Sequence, residues 1–192
     1  MNNKMLRCPW NYHDEEIYIK YHDEEWGRPT YDDRSLFEIL ILEGAQAGLS
    51  WITILKRREA YRRAFDNFDV EKVAAYTEED KKRLLADSGI IRNRLKINSA
   101  IRNAKIFINI QKEFGSFSQY IWAFVDGKPI VSHLTDITKM PAKTELAEKI
   151  SKDLKKRGMN FVGPVVIYSY MQSVGIVNDH LETCPFNGRT QI

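Results

Sequence analysis

R-G-M-N-F-V-G-P, residues Arg157 to Pro164, lies between two stretches of helical character. Upstream, Thr144 to Arg157 places apolar residues at helical spacing and ends at Gly158, a residue free to take the left-handed conformation that closes a helix. Downstream, Pro164 fits the first position of a helix, Val165 to Val174, because its missing N–H is a donor that a helix start leaves unpaired anyway. Only Met159 to Gly163 remains to join them, so the pattern is helix, tight hairpin, helix. Glycine at both corners, Gly158 and Gly163, lets another backbone approach closely. The free N–H groups at the start of the second helix suit a phosphate. Lys155, Lys156 and Arg157 add positive charge beside it. Most helical hairpins are purely structural; the basic triplet next to R-G-x-x-F-V-G makes a DNA-binding helix-hairpin-helix the sharper expectation.

The same punctuation runs through the rest of the chain. Asp33 is expected to cap a helix through Leu36, Leu40, Glu43 and Ala47, and Ser50 a second through Trp51, Ile54, Leu55, Tyr61 and Phe65. Thr77 to Asp80 reads as a capping box ahead of Lys81 to Asp87, and a long helix from about Arg92 to Phe114 stops at Gly115. Ser116 or Ser118 opens a short helix carrying Trp122 and Phe124. Asp126 to Pro129 reads as a turn and His133 to Pro141 as irregular chain. No strand-length alternation, repeat or low-complexity tract stands out, so the expected class is all-α. With 192 residues, 43% hydrophobic and 29% charged, the chain suits one compact domain spanning residues 1–192. No apolar run approaches ~20 residues, which argues against a transmembrane helix and a membrane partner. The first thirty residues lack the apolar stretch of a secretion signal, so the expected compartment is the reducing cytoplasm. A net charge of +3 permits a polyanionic partner without requiring one, and no protein partner is implied.

The two cysteines each have a histidine near them: Cys8 precedes His22 by thirteen intervening residues, and His180 precedes Cys184 by three. The H-x3-C spacing lets a helical end and the turn after it aim an imidazole nitrogen and a thiolate at one tetrahedral metal. Cys8, His22, His180 and Cys184 are therefore a candidate site for one structural Zn2+ per chain. His13 is the alternative to His22, and two ordinary buried cysteines, or one disulfide, is the plainer reading of the same residues. Four protein ligands leave no open position, so such a metal ties the chain ends together and leaves the chemistry to other residues.

Three of the four tryptophans, Trp10, Trp26 and Trp51, fall early in the chain with Tyr12, Tyr18 and Tyr21. Core packing is the usual explanation for such a concentration. Glu43 is harder to place. It falls between Leu36, Leu40 and Ala47 on the stripe that faces the core, where an unpaired carboxylate is costly. Either a structural cation or hydroxyl meets it, or a polar ligand does. Gly44, Ala45, Ala47 and Gly48 leave room around it for a flat ligand, and Trp51 is close enough in sequence to stack upon one.

The runs Y-H-D-E-E-W-G (Tyr21 to Gly27), L-E-G-A-Q-A-G-L-S-W (Leu42 to Trp51), R-G-M-N-F-V-G-P (Arg157 to Pro164) and Y-S-Y-M-Q-S-V-G-I-V-N-D-H (Tyr168 to His180) closely resemble the Tag type of the 3-methyladenine DNA glycosylase I family. The resemblance spans Cys8 to Cys184. It implies an all-α helix-hairpin-helix DNA glycosylase fold, with zinc on Cys8, His22, His180 and Cys184 joining the N- and C-terminal segments. It also implies excision of 3-methyladenine from alkylated double-stranded DNA, as in base-excision repair. Carried across residue by residue, the pocket and its catalytic groups fall on Glu43, Tyr21 and Trp51, with Trp10 and Tyr18 as further base-binding lining. The DNA grip falls on the hairpin and its flanks, at Lys156, Gly158, Gly163 and Pro164. Leu49 is the candidate wedge that fills the space left by a flipped nucleotide, and an ordinary core leucine is its plainer reading.

The side-chain types agree with that chemistry. Methylation at N3 puts positive charge on the adenine, which aromatic faces attract and a carboxylate can hydrogen-bond. The charged base is also an activated leaving group, so breaking its glycosidic bond needs less help. Many helix-hairpin-helix glycosylases carry an aspartate after the hairpin; here the nearest acid is Asp179, beside His180, and it is assigned no chemical role. No lysine stands at Pro164 or Val165 to form a Schiff base, so the expected reaction is base release without strand cleavage. The rival readings are a non-catalytic, zinc-stabilised DNA-binding module and an enzyme acting on free purine nucleosides.

Overall fold

The structure, a computed structural model, describes residues 7–10 and 14–188. The helices in chain order are α1 (Glu16–Glu24), α2 (Asp33–Gln46), α3 (Trp51–Leu55), α4 (Arg58–Ala64), α5 (Val70–Ala74), α6 (Glu78–Ala86), α7 (Arg94–Phe114), α8 (Phe117–Trp122), α9 (Glu145–Lys156) and α10 (Pro164–Ser173). The molecule is mostly helical, as the sequence implies. The strands β1 (Ile130–Val131) and β2 (Val177–Asn178) pair in parallel over two residues each, too few for alternation to be legible beforehand. No helix among the described residues is long and apolar enough to cross a membrane.

The sequence of α2 dictates its central place. Every residue from Leu36 to Ala45 is buried, and a helix with so little polar surface must be surrounded. It packs against α7, α8 and α10. Its cap is Asp32, not Asp33: the Asp32 carboxylate accepts from the Ser35 N–H at 2.8 Å. Asp33 serves a neighbour instead, accepting from the Phe117 and Ser118 N–H groups at the start of α8 at 2.9 and 2.8 Å.

The single helix expected from Ser50 to Phe65 is broken at Lys56 and Arg57 into α3 and α4. At the break Arg57 donates to the Ser88 and Gly89 carbonyls at 2.9 and 3.2 Å, tying it to the loop before α7. The sequence reading also missed α1 and α5; α5 is only five residues long. The punctuation elsewhere holds, with a capping box at Thr77 and Asp80, Ser116 rather than Ser118 capping α8, and Thr144 capping α9.

Two joints position the site. Gly175, at φ +73°, closes α10 against residues 27–30 so tightly that a Cβ there would lie 2.1 Å from the Arg28 carbonyl carbon. Around that contact the Gly27 N–H donates to the Gln172 carbonyl and the Thr30 N–H to the Val174 carbonyl, at 2.8 and 3.0 Å. The second joint is the α9–α10 hairpin. Met159 N–H returns to the Leu154 carbonyl at 3.0 Å, and Phe161 takes the left-handed conformation at φ 54°. The hairpin is held from two sides. Ser151 donates to the Val162 carbonyl at 2.6 Å, while Asn103 donates to the Asn160 carbonyl at 2.9 Å and accepts its N–H at 3.0 Å.

Candidate active site

Glu38 and Glu43 are both buried on α2, and their surroundings separate two explanations for a core carboxylate. Glu38 is met by cations: Arg58 donates to its Oε1 at 2.5 Å and Arg62 to both oxygens at 3.1 and 3.2 Å. Glu43, 3% exposed, receives a single hydroxyl, from Ser173 to Oε1 at 2.7 Å. Its Oε2 is buried with no hydrogen-bond partner among the described residues. Leaving a buried acceptor in that state costs about 1–3 kcal/mol. Burial pushes the Glu43 carboxyl up to about 8, only partly offset by the Ser173 hydroxyl.

Ser173 has one proton, and it goes to Glu43. Its oxygen therefore accepts from the Tyr21 hydroxyl, 2.7 Å away, giving a chain Tyr21 to Ser173 to Glu43. Burial also raises the Tyr21 phenol well above its ordinary value, so it remains a donor. Replacing Ser173 by alanine removes both partners at once. The expected loss is about 1–3 kcal/mol, or roughly 3–10 °C in melting temperature for a chain of this length, measurable by thermal denaturation; an unchanged melting temperature would mean the chain is not formed.

Glu43, Tyr21 and Ser173 open onto a cavity with about 490 Å³ of empty space, including its mouth. Its aromatic walls are Trp10, Tyr18, Tyr21, Trp26 and Trp51, so the sequence-derived pocket residues do converge. Trp10 packs edge-on against Trp26 at 4.4 Å, and the Tyr21 and Trp51 ring centroids are 5.5 Å apart. The indole Nε1 of Trp51 is buried and, like Glu43 Oε2, unpartnered among the described residues. One unmet acceptor and one unmet donor on aromatic walls suit a flat ring that carries both hydrogen-bonding types.

Sequence reading missed several lining residues: Gln46, Met140, Ser169, Gln172 and Ser173; Trp26 is a core residue, as core packing implies, and also lines the cavity. A signal for three of them was present. Ser169, Gln172 and Ser173 stand three and four residues apart, and so form one polar face on an otherwise apolar helix. Asp179 is 1% exposed and accepts from Tyr168 and Gln172 at 2.5 and 2.7 Å; it is not among the residues lining the cavity.

A second groove shares Glu43, Gln46 and Ser169 with the cavity and leads to Leu49, Val165 and Val166. Leu49 is 40% exposed, which overturns its plainer reading as a core leucine. Gly163 precedes α10 without any side-chain cap, and Pro164 occupies the helix's first position. Lys156 is exposed at the end of α9. Arg157 is not available as the basic triplet suggested: it is bound to Asp153 and Glu113 at 2.7 and 2.6 Å and lies over the rings of Phe114 and Tyr120.

The chain ends meet at Cys8, His22 and Cys184, three buried residues whose ligand atoms lie within 4.8 Å of one another. Both cysteines are free, so the disulfide reading does not hold. His13, like Tyr12, lies outside the described residues. The donor set fits a tetrahedral metal. Zinc–sulfur and zinc–nitrogen bonds of about 2.3 and 2.0 Å place ligand atoms about 3.6 Å apart, and His22 Nε2 lies 3.7 Å from Cys184 Sγ. The other His22 nitrogen is bonded to Asp23 at 2.7 Å, and Asp23 is held in turn by Arg7. A hydrogen bond from Cys8 holds the Cys184 thiol far below its usual range. His180 departs from the expected set: its Nε2 faces the His22 carbonyl at 3.2 Å rather than joining the cluster. Burial lowers its pKa to about 4, so the ring is neutral. With Nδ1 bonded to Asn178 at 2.9 Å, Nε2 has only a lone pair to set against another acceptor.

Fold and cavity together define a mostly helical protein with an aromatic-lined cavity into which a buried carboxyl group opens. A family model described as methyladenine glycosylase matches residues 10–187, and the chain belongs to that family. The DNA-3-methyladenine glycosylase of Haemophilus influenzae is 49% identical over 179 residues, covering 93% of this chain and 96% of that one. A crystal structure of 3-methyladenine DNA glycosylase I superposes with a TM-score of 0.90 at 47% identity, covering 93% of this chain and 98% of the other. The Staphylococcus aureus 3-methyladenine DNA glycosylase I, solved to explain 3-methyladenine recognition, superposes at 0.88 with 39% identity over 90% of this chain and 92% of its own.

Proposed function

We propose that the cavity accepts a 3-methyladenine base turned out of duplex DNA, with Glu43 recognising it. The protein is a DNA-3-methyladenine glycosylase of base-excision repair, hydrolysing the N-glycosyl bond. The observation that carries the pocket assignment is the unpartnered Oε2 of Glu43, on a helix where the neighbouring buried acid, Glu38, has two arginines. A cationic base bearing an amino group supplies both the missing charge and the missing hydrogen bond. The aromatic walls add cation-π attraction and exclude water, which strengthens that pairing. Normal adenine carries the amino group without the charge, so its hydrogen bond is not charge-assisted and it gains no cation-π attraction.

Turning the nucleotide out of the stack costs roughly a few kcal/mol. Leu49 fills the space it leaves, and the groove from Leu49 to Glu43 is the base's route. The α9–α10 hairpin is the helix-hairpin-helix grip, with the N–H groups after Gly163 and the Lys156 ammonium on the phosphates. Inside the pocket, Tyr21 and Ser173 orient the Glu43 carboxylate, and Tyr21 and Trp51 flank the base. The departing base is activated by its own charge and water attacks the sugar; with no lysine at Pro164 or Val165, the strand stays intact. A non-catalytic DNA-binding module accounts for the hairpin and not for Glu43.

Cys8, His22 and Cys184, with His180 as the fourth residue of the set, would hold one structural Zn2+. The zinc closes the chain so that residues 1–192 act as one domain, and free cysteines suit a reducing cytoplasm. The test is incubation with methylated duplex DNA and chromatography of the released bases. 3-Methyladenine as the main product, on strands still unbroken before alkali, is the expected result; no purine released overturns the reading.

A further inference from the structure

Several arginines among the described residues are committed. Arg7, Arg58, Arg62, Arg83 and Arg157 bind carboxylates, and Arg57 holds two carbonyls. Arg94 and Arg102, on the exposed side of α7, have no hydrogen bond or ion pair among the described residues. With Asn98 they fall four residues apart, on one face. Lys82 of α6 faces Arg94 and Asn98 across a groove, and Glu78, the acid in that groove, is bound by Lys81 at 2.6 Å while also lying in the field of Arg94 and Lys82.

The position of this ridge is fixed from both ends. Lys96 donates to the Ala45 and Ala47 carbonyls at 2.8 and 2.7 Å, clamping the first turn of α7 to the bend that carries Leu49. Further along, Ser99 and Asn103 hold Asn160 of the hairpin. Arg102 lies against the hairpin itself: a Cβ added at Gly158 would come within 3.5 Å of its Nη2. The first turns of α7 therefore run between the two elements to which DNA contact is assigned above. Eight residues of α-helix span about 12 Å, enough for the two guanidinium groups to meet phosphates of different nucleotides.

We propose that the ridge Arg94–Asn98–Arg102, with Lys82 across the groove, is a second phosphate-binding edge that extends the duplex DNA interface beyond the hairpin. The proposal rests on the glycosylase reading. Guanidinium forks and the Asn98 amide supply donors suited to phosphate oxygens and carry no base preference, so the edge adds affinity without sequence selectivity.

The experiment is a titration of the full chain with undamaged duplex DNA across a salt series, with release of 3-methyladenine measured on the same preparations. Arg94→Gln/Arg102→Gln is expected to lower the slope of log affinity against log salt by nearly two, about 0.9 per lost contact, and to weaken binding about tenfold or more. Its melting temperature should stay at the wild-type value. Arg34→Gln/Arg63→Gln removes the same charge from the opposite end of α2 and from α4, and is expected to leave the slope unchanged. A wild-type slope in the α7 double variant, or an equal fall in both, overturns the proposal. A wild type that releases no 3-methyladenine overturns the glycosylase reading instead, while the slopes still decide the ridge.

Discussion

Glu43→Gln is expected to slow release of 3-methyladenine from methylated duplex DNA about 100-fold, or roughly 2.7 kcal/mol, and at the same time to stabilise the fold at alkaline pH. Both effects come from one carboxyl. Glutamine keeps the volume and an acceptor for the Ser173 hydroxyl, so the pocket's shape survives. It cannot ionise, whereas Glu43 can give up its proton when a cationic base enters, and a charge-assisted hydrogen bond is about twice as strong as a neutral one. The stability effect follows from the raised pKa. The folded protein keeps the Glu43 proton up to about 8, whereas an unfolded chain gives it up near 4.5. Between those values the unfolded state binds fewer protons, so stability declines as pH rises, by at most about 1.4 kcal/mol per unit. Glutamine escapes that decline. Melting curves at pH 5 and pH 9 check it: the variant's advantage should be wider at pH 9, and a gap independent of pH would be evidence against a buried, protonated Glu43.

Loss of the proposed zinc is the second large effect expected. Elemental analysis of the purified chain should find about one equivalent, and Cys184→Ser should lower the melting temperature by about 10 °C, given 2–4 °C per kcal/mol for a chain of this length. The damage is expected to reach the pocket. The Trp10 N–H is bonded to the Cys8 carbonyl at 2.8 Å, and the Trp10 ring packs on His22 at 4.8 Å. His22 in turn follows Tyr21 on α1. Release of the proposed metal would therefore loosen one aromatic wall and the head of the Tyr21–Ser173–Glu43 chain, and 3-methyladenine binding should weaken along with stability. Less than half an equivalent of metal, with Cys184→Ser as stable as wild type, rejects the site.

What was legible in the sequence was whatever depends on local chemistry. Gly158, Pro164 and the caps at Thr77, Ser116 and Thr144 mark helix ends through their own backbone preferences, and those ends are where the structure has them. Glu43 was legible because a carboxylate on an apolar stripe contradicts its surroundings. Which of its two explanations applies was not, because that depends on what α10 and α4 bring from elsewhere in the chain. Ser173 answers Glu43 from 130 residues away, and Arg58 answers Glu38. The break between α3 and α4 escaped notice for the same reason: Arg57 is held by the Ser88 and Gly89 carbonyls, and nothing near it in sequence signals a stop. Arg157 was misread as free charge because Glu113, which binds it, lies on a different helix.

The most direct measurement is an experimental structure of the protein with 3-methyladenine bound. The base is expected between Tyr21 and Trp51, its amino group about 3 Å from Glu43 Oε2, so that the oxygen left without a partner acquires one. A base bound elsewhere, with Glu43 Oε2 and Trp51 Nε1 both still unmet, would contradict it.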